Sequence, residues 1–311
     1  MTVKAICQRV GEPRPLHPRK PPVREYSYLH VPFDFRNKTP YPRRPLRTVK
    51  KSAMTIAVGI LAEGSIVLAS DSKYATGGVV NYGQKIFPLP KRESFRVVVA
   101  GAGVVSSIKA AAEKINLALP NGEASLDDIQ AAVEAANKNY YEEFIDRLSD
   151  PARYELLVGI AHHGEGCRLL QCSQNSTLEV KEYALLGTGG LTAQPYADLW
   201  WPDISILEAE NMAVCLVKYA KTYDEFCGGE TKVFTLRAHD IFLELNADYI
   251  RYAEDYFVHF HRLAVGMLLP FGSLKADSEF FEGKISMLIS DLKRYRENLF
   301  RSHQGSYRRI P

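Results

Sequence analysis

The sequence predicts an α+β domain with strands first and last, paired helices between them, and further helix at the C-terminal end. Three observations carry that expectation. Apolar runs of strand length open and close the segment from about 55 to 237, helical periodicities lie in pairs between them, and residues 1–53 show neither pattern. Each sheet has an apolar face to bury, and stacked layers bury it.

The elements follow in order. Residues 55–73 are the most informative stretch, reading as strands near 55–62 and 65–70 split by a Glu63-Gly64 turn and closed by Asp71-Ser72-Lys73. Further strands are expected at 85–89 and 95–100, then a helix at about 104–118. Ser125-Leu126-Asp127-Asp128 resembles a capping box, and Ile129, Val133, Ala136, Tyr140 and Phe144 recur behind it at helical spacing. Strands return at about 155–163, 167–173 and 178–186. They are followed by a helix ending near Trp200-Trp201-Pro202, a helix from Ser205 to Tyr223 and a strand at Thr231–Arg237. Phe242 to Leu269 and Phe280 to Arg301 read as two more helices, the second with Ile285, Leu288, Ile289, Leu292, Tyr295 and Leu299 on one stripe. The expected organisation is an arm over 1–54, a core over 55–239 and a C-terminal helical extension packed on the core over 240–311.

Charge separates the arm from the rest. Residues 1–53 carry 13 Lys and Arg against 3 acids, while the remainder carries 26 against 33. The arm also holds 9 of the 17 prolines, a composition expected to stay extended or disordered. Three readings apply to it: a removed propeptide, a basic arm for an anionic partner, or upstream sequence translated from a start assigned too early. Met54 directly before Thr55 favours the third, because initiation there and removal of Met would expose Thr55. A mitochondrial presequence is opposed by the prolines.

The chemistry-bearing residues recur in a fixed order. Thr55 opens the first strand, with Val58-Gly59 just inside it and Asp71 sixteen positions on. Lys85 follows after a short loop and strand, and Val97-Val98-Val99-Ala100-Gly101-Ala102-Gly103 runs into a helix. Leu186-Gly187-Thr188-Gly189-Gly190 and Asp224-Glu225-Phe226-Cys227-Gly228-Gly229 complete the series. This series resembles the β subunits of the proteasome and their bacterial relatives, the N-terminal-nucleophile (Ntn) peptidases, over most of the chain after residue 54. Departures are a loop before Lys85 about two residues shorter, and Thr188 and Cys227 where the family usually has serine. Additional C-terminal helical sequence also occurs in the bacterial Anbu proteins.

The resemblance implies a four-layer αββα Ntn-hydrolase sandwich and a threonine-type endopeptidase working through an acyl-enzyme on Thr55. A free Thr55 would carry nucleophile and base on one framework, since an α-amino group titrates at roughly 7.7–8.0. Asp71 and Lys85 would be the carboxylate and ammonium beside it, and the Gly101 N–H the donor to the oxyanion. Thr188, Asp224 and Cys227 would surround the amine. Val99, Lys73 and Ala75 would contact substrate, with Val99, uncharged and of moderate size, favouring apolar side chains before the cut. The resemblance further implies unfolded polypeptide or peptide substrates, a homo-oligomeric ring enclosing the sites, room for an ATP-dependent unfoldase as partner, and no metal or organic cofactor.

Other classes find little support. No apolar run approaches the 18 residues of a membrane span and no signal-peptide core follows residue 1. Five widely spaced cysteines argue for a reducing compartment, here the cytoplasm. Gly101-x-Gly103 lacks a third glycine and a βαβ context. His162-His163, His259-Phe260-His261 and the pair Cys167 and Cys172 lack metal-ligand spacing. An acidic body without interleaved aromatics argues against nucleic acid. Two rivals remain: a non-catalytic structural ring subunit, if residues 1–54 stay attached, and an Ntn amidohydrolase acting on a small amide.

Overall fold

A computed structural model describes residues 55–76, 79–146, 154–198, 204–238, 241–271, 278–303 and 307–309. β1 (Ala57–Ala62) and β2 (Ser65–Asp71) form the opening hairpin. Its turn residues Glu63 and Gly64 sit at φ 46° and 67°, the left-handed pair that a tight hairpin needs. β3 (Lys73–Thr76) and β4 (Val79–Tyr82) make a small separate hairpin that the sequence reading did not anticipate. β5 (Ile86–Pro88), β6 (Phe95–Gly103), β7 (Tyr154–His162), β8 (Gly166–Ser173) and β9 (Ser176–Val180) follow one another as the second sheet. β10 (Tyr183–Leu186) returns to pair with β1. With β11 (Thr231–Arg237), β12 (Ile241–Leu245) and β13 (Tyr307–Arg309), the first sheet runs β10-β1-β2-β11-β12-β13.

Helices cover both sheets. α1 (Val105–Ala118) and α2 (Leu126–Tyr140) pack on the second sheet, while α3 (Gly187–Ala197), α4 (Ile206–Tyr223) and α5 (Ala247–Phe271) pack on the first. α6 (Ser278–His303) lies against α5. Strand period explains the layering. In β1, Val58 and Ile60 face α4 while Ala57 faces the other sheet; in β6, Val97 and Val99 face α1 while Val98 and Ala100 meet the first sheet. Strands buried on both faces read as unbroken apolar runs, and these do. This is the α+β Ntn-type sandwich expected. Both α2 and α4 open on complete capping boxes, Ser125 with Asp128 and Ser205 with Glu208.

Four expectations need correction. Residues 178–186 are two strands in different sheets, because Lys181 and Glu182 break the apolar run where the chain crosses over. The helix expected from Phe242 begins at Ala247. Residues 241–245 are instead a strand that buries Phe242 and Leu245, and the Asn246 side chain then accepts from Asp248 N–H to start α5. Phe144 is 46% exposed and Ile145 takes its place in the core. A π-helical turn over Tyr141–Ile145, closed by Asp146 N–H on Tyr141 O at 2.9 Å, adds one residue and shifts the register by one. On α6, Tyr295 stacks on Tyr252 of α5, but Ile289 and Leu292 of the same expected stripe stay exposed. Trp200-Trp201-Pro202 and residues 1–54 lie outside the described residues.

Candidate active site

The opening hairpin sets the first two members of the site. Its register places Ala57 opposite Ser70, so Thr55 and Asp71 meet at the open end of the pair. Lys85 enters from the residue before β5, in the other sheet. All three side chains are essentially inaccessible to solvent. Thr55 Oγ1 donates to Asp71 Oδ1 at 2.5 Å, and Lys85 Nζ donates to the same carboxylate oxygen at 2.7 Å. Lys85 Nζ also donates to Thr55 Oγ1 and to the Lys73 carbonyl, which occupies all three ammonium donors. Ile56 N–H reaches Asp71 Oδ1 at 3.2 Å and Gly228 N–H reaches Oδ2 at 2.9 Å. Burial pulls the Lys85 ammonium below its ordinary pKa of 10.5, and the Asp71 carboxylate opposes that shift. The threonine hydroxyl is thus held between a buried cation and a buried anion.

The segments that carry Thr188, Asp224 and Cys227 meet beside Thr55. Gly189 N–H, in the first turn of α3, donates to the Thr55 carbonyl at 3.1 Å. The Cys227 thiol fills the space left by Gly189: a Cβ there would stand 2.4 Å from Sγ and 2.8 Å from Ile56 Cβ. Burial, with the Asp71 and Asp224 carboxylates, pushes the Cys227 thiol pKa well up, so it remains neutral. Asp224 closes α4, and its Oδ1 accepts from Phe226 N–H at 2.9 Å. Thr188 Oγ1 and Asp224 Oδ2 are buried without a hydrogen-bond partner in normal range among the described residues, although the Asp224 carboxylate lies close enough to the Cys227 thiol to help hold its proton.

Other predicted positions stand elsewhere. Gly101 N–H donates to the Lys85 carbonyl at 3.0 Å as a rung between the β5 end and β6, so it is not free for an oxyanion. The glycine serves packing, because a Cβ there would meet Ile108 of α1 at 2.5 Å. Val99 is fully buried under α1 and presents no surface to a substrate. Lys73 Nζ donates to the Glu225 carbonyl at 2.5 Å and ties β3 to the Asp224 turn. Ala75 pairs with Val80 across the small hairpin. The sequence reading missed the backbone donors of Ile56, Gly189 and Gly228, which carry no side-chain signal. It also missed Glu155, an acid inside an apolar strand, whose Oε2 accepts from Gly187 N–H at 3.1 Å.

A cleft of about 700 Å³ lies against Asp71 and Lys85 beside Tyr82, Gln84 and Phe234 without exposing either charged side chain. Among the described residues no three His, Cys, Asp or Glu side chains are placed to hold a metal ion, and no helix is long and apolar enough to cross a membrane.

A two-sheet sandwich with threonine, aspartate and lysine buried together at a strand end defines a proteasome β-like Ntn-hydrolase chain. Residues 51–236 match the family described as "Proteasome subunit", and the chain belongs to that family. It is 30% identical over 176 residues to proteasome subunit beta 2 of Pyrobaculum neutrophilum, covering 56% of this chain and 84% of the relative. It is 26% identical over 186 residues to the proteasome subunit beta of Nanoarchaeum equitans, covering 59% and 93%. Among solved structures, the Anbu (Gly-1) mutant from Hyphomicrobium sp. strain MC1 superposes with a TM-score of 0.59 at 16% identity, covering 72% of this chain and 99% of that one. The helical assembly of the Anbu complex from Pseudomonas aeruginosa gives 0.60 at 17%, covering 73% and 100%. At those identities the structures support the fold alone.

Proposed function

We propose that this protein is a threonine-type peptidase that cleaves peptide bonds through Thr55 as the first residue of its active form. The observation that carries the reading is the Thr55 hydroxyl, buried and bonded to both Asp71 and Lys85. With residues 1–54 gone, the Thr55 α-amine takes the Oγ1 proton as Oγ1 attacks the substrate carbonyl. The C–N bond breaks and the amine passes that proton to the leaving group. Water, deprotonated by the same amine, then hydrolyses the ester and frees Oγ1. Lys85 stabilises the developing negative charge on Oγ1, and Asp71 holds Lys85 in place. Thr188 Oγ1 and Asp224 Oδ2, buried and unpartnered among the described residues and next in sequence to the groups that grip Thr55, are acceptors suited to a new ammonium. Substrates are taken to be peptides or unfolded chains reaching sites inside a homo-oligomeric ring in the cytoplasm, with or without an ATP-dependent unfoldase.

A non-catalytic ring subunit is favoured by one observation, the commitment of the Gly101 N–H to the Lys85 carbonyl. One experiment separates the readings. The protein isolated from its own cell is sequenced from its N-terminus by mass spectrometry and assayed on fluorogenic peptides beside the form starting at Thr55. Thr55 as first residue, with hydrolysis and labelling of Thr55 by a threonine-directed electrophile, supports the peptidase. An inert Thr55 form supports the scaffold, and a full-length form that hydrolyses peptides refutes the N-terminal nucleophile.

A further inference from the structure

We infer that Glu155 is a positioning residue for the Thr55 site, fixing the first turn of α3 from the opposite sheet. The inference rests on the peptidase reading only for its effect on rate. α3 begins without a side-chain cap of its own: its N-cap residue is Leu186, and Gly187 stands at φ 77°. The first N–H groups of a helix have no partner within it and attract negative charge. Glu155 supplies both from β7, its Oε2 accepting the Gly187 N–H at 3.1 Å. Two residues on, Gly189 N–H grips the Thr55 carbonyl at 3.1 Å, and Thr188 lies between the two contacts. One helical turn therefore links a carboxylate of the second sheet to the nucleophile of the first.

The neighbours of Glu155 in β7, Tyr154 and Leu156, are buried core residues, and its rung partners are Ala102 and Ser173. Their side chains point to the α1 side, so Glu155, half-buried, points the other way, toward the first sheet. Its hydrogen bond and its charge are separable by substitution, because Glu155→Gln keeps an acceptor oxygen and loses the charge, whereas Glu155→Ala loses both.

Hydrogen exchange of the α3 amides, followed by mass spectrometry in the full chain, tests the positioning without any assay of activity. Glu155→Ala should speed exchange at Gly187–Gly189 while Glu155→Gln stays close to wild type. Unchanged exchange in Glu155→Ala overturns the inference. In the form starting at Thr55, Glu155→Ala should lower kcat by about tenfold to a hundredfold with KM held within about threefold, and Glu155→Gln should restore most of kcat. Equal losses in both variants that track the thermal midpoint would make Glu155 merely structural and overturn the inference. Altered exchange in a protein whose wild-type form is inert leaves the positioning standing and refutes only the peptidase reading.

Discussion

The two halves of the site differ in how fully their polar groups are satisfied. On the strand side, Asp71 accepts four hydrogen bonds and Lys85 spends all three of its donors. On the helix side, Thr188 Oγ1 and Asp224 Oδ2 are buried and unpartnered among the described residues. Under the peptidase reading the hydroxyl of residue 55 is organised before processing, whereas Thr188 Oγ1 and Asp224 Oδ2 gain a partner in the amine that processing would create. A buried polar atom without a partner costs about 1–3 kcal/mol, and among the described residues that penalty falls on one side of the site and not on the other.

Breaking the strand side should have the largest effects. Thr55→Ala and Lys85→Ala should each reduce peptide hydrolysis by the Thr55-first form to background. Only Lys85→Ala should also lower stability, by about 3 kcal/mol in urea titration, because it strands a buried carboxylate. Wild-type hydrolysis in either variant would sink the mechanism.

The Lys85 shift gives an opposed pair of pH effects. The peptidase reading needs the ammonium form, whose pKa lies below 10.5, so activity should fall on the alkaline side before that pH is reached. Between the folded-state value and 10.5 the unfolded chain binds more protons, so this group's contribution to stability rises with pH there. Activity lost while the thermal midpoint holds would identify Lys85; loss of both together would not.

On the packing beneath the strand side, Gly101→Ala should cost about 1–3 kcal/mol, because its Cβ meets the branched stem of Ile108 at 2.5 Å. Calorimetry checks it, and an unchanged midpoint would mean that α1 is not seated as described.

Thr188→Val sharpens the comparison through a change of sign. In the full chain it should be neutral or stabilising by about 1 kcal/mol, since it removes an unpartnered hydroxyl. In the Thr55-first form it should instead destabilise and slow hydrolysis. The same sign in both forms would show that the hydroxyl does not serve the terminal amine.

Much of this was legible in the sequence because strand and helix periods are local. The resemblance put Thr55 and Asp71 together, and a tight turn at Glu63-Gly64 accounts for it by bringing both to the same end of a hairpin. What escaped depends on direction rather than spacing. Whether Val99 points at a cleft or into the core is set by which sheet face α1 covers, and the Gly101 N–H is consumed by a rung formed with a residue sixteen positions earlier. The crossing at Lys181 and Glu182 was hidden because both flanking segments are strands. Phe242 misled because the stretch around it is as apolar as the helix that follows. Glu155 left one trace, an acid where the strand is otherwise apolar, and its partner lies on another element.

The π-helical turn after α2 gives the chain a residue that its packing does not use. Tyr140 and Ile145 are both buried, 7% and 3% exposed, although they stand five positions apart. Deleting Glu142 or Glu143 would leave that isoleucine four positions after Tyr140, on the same helical stripe, with an ordinary turn in between. The protein should accept this shortening with its melting temperature nearly unchanged. A deletion earlier in α2 would instead rotate every later side chain by about 100° and empty the core beneath them.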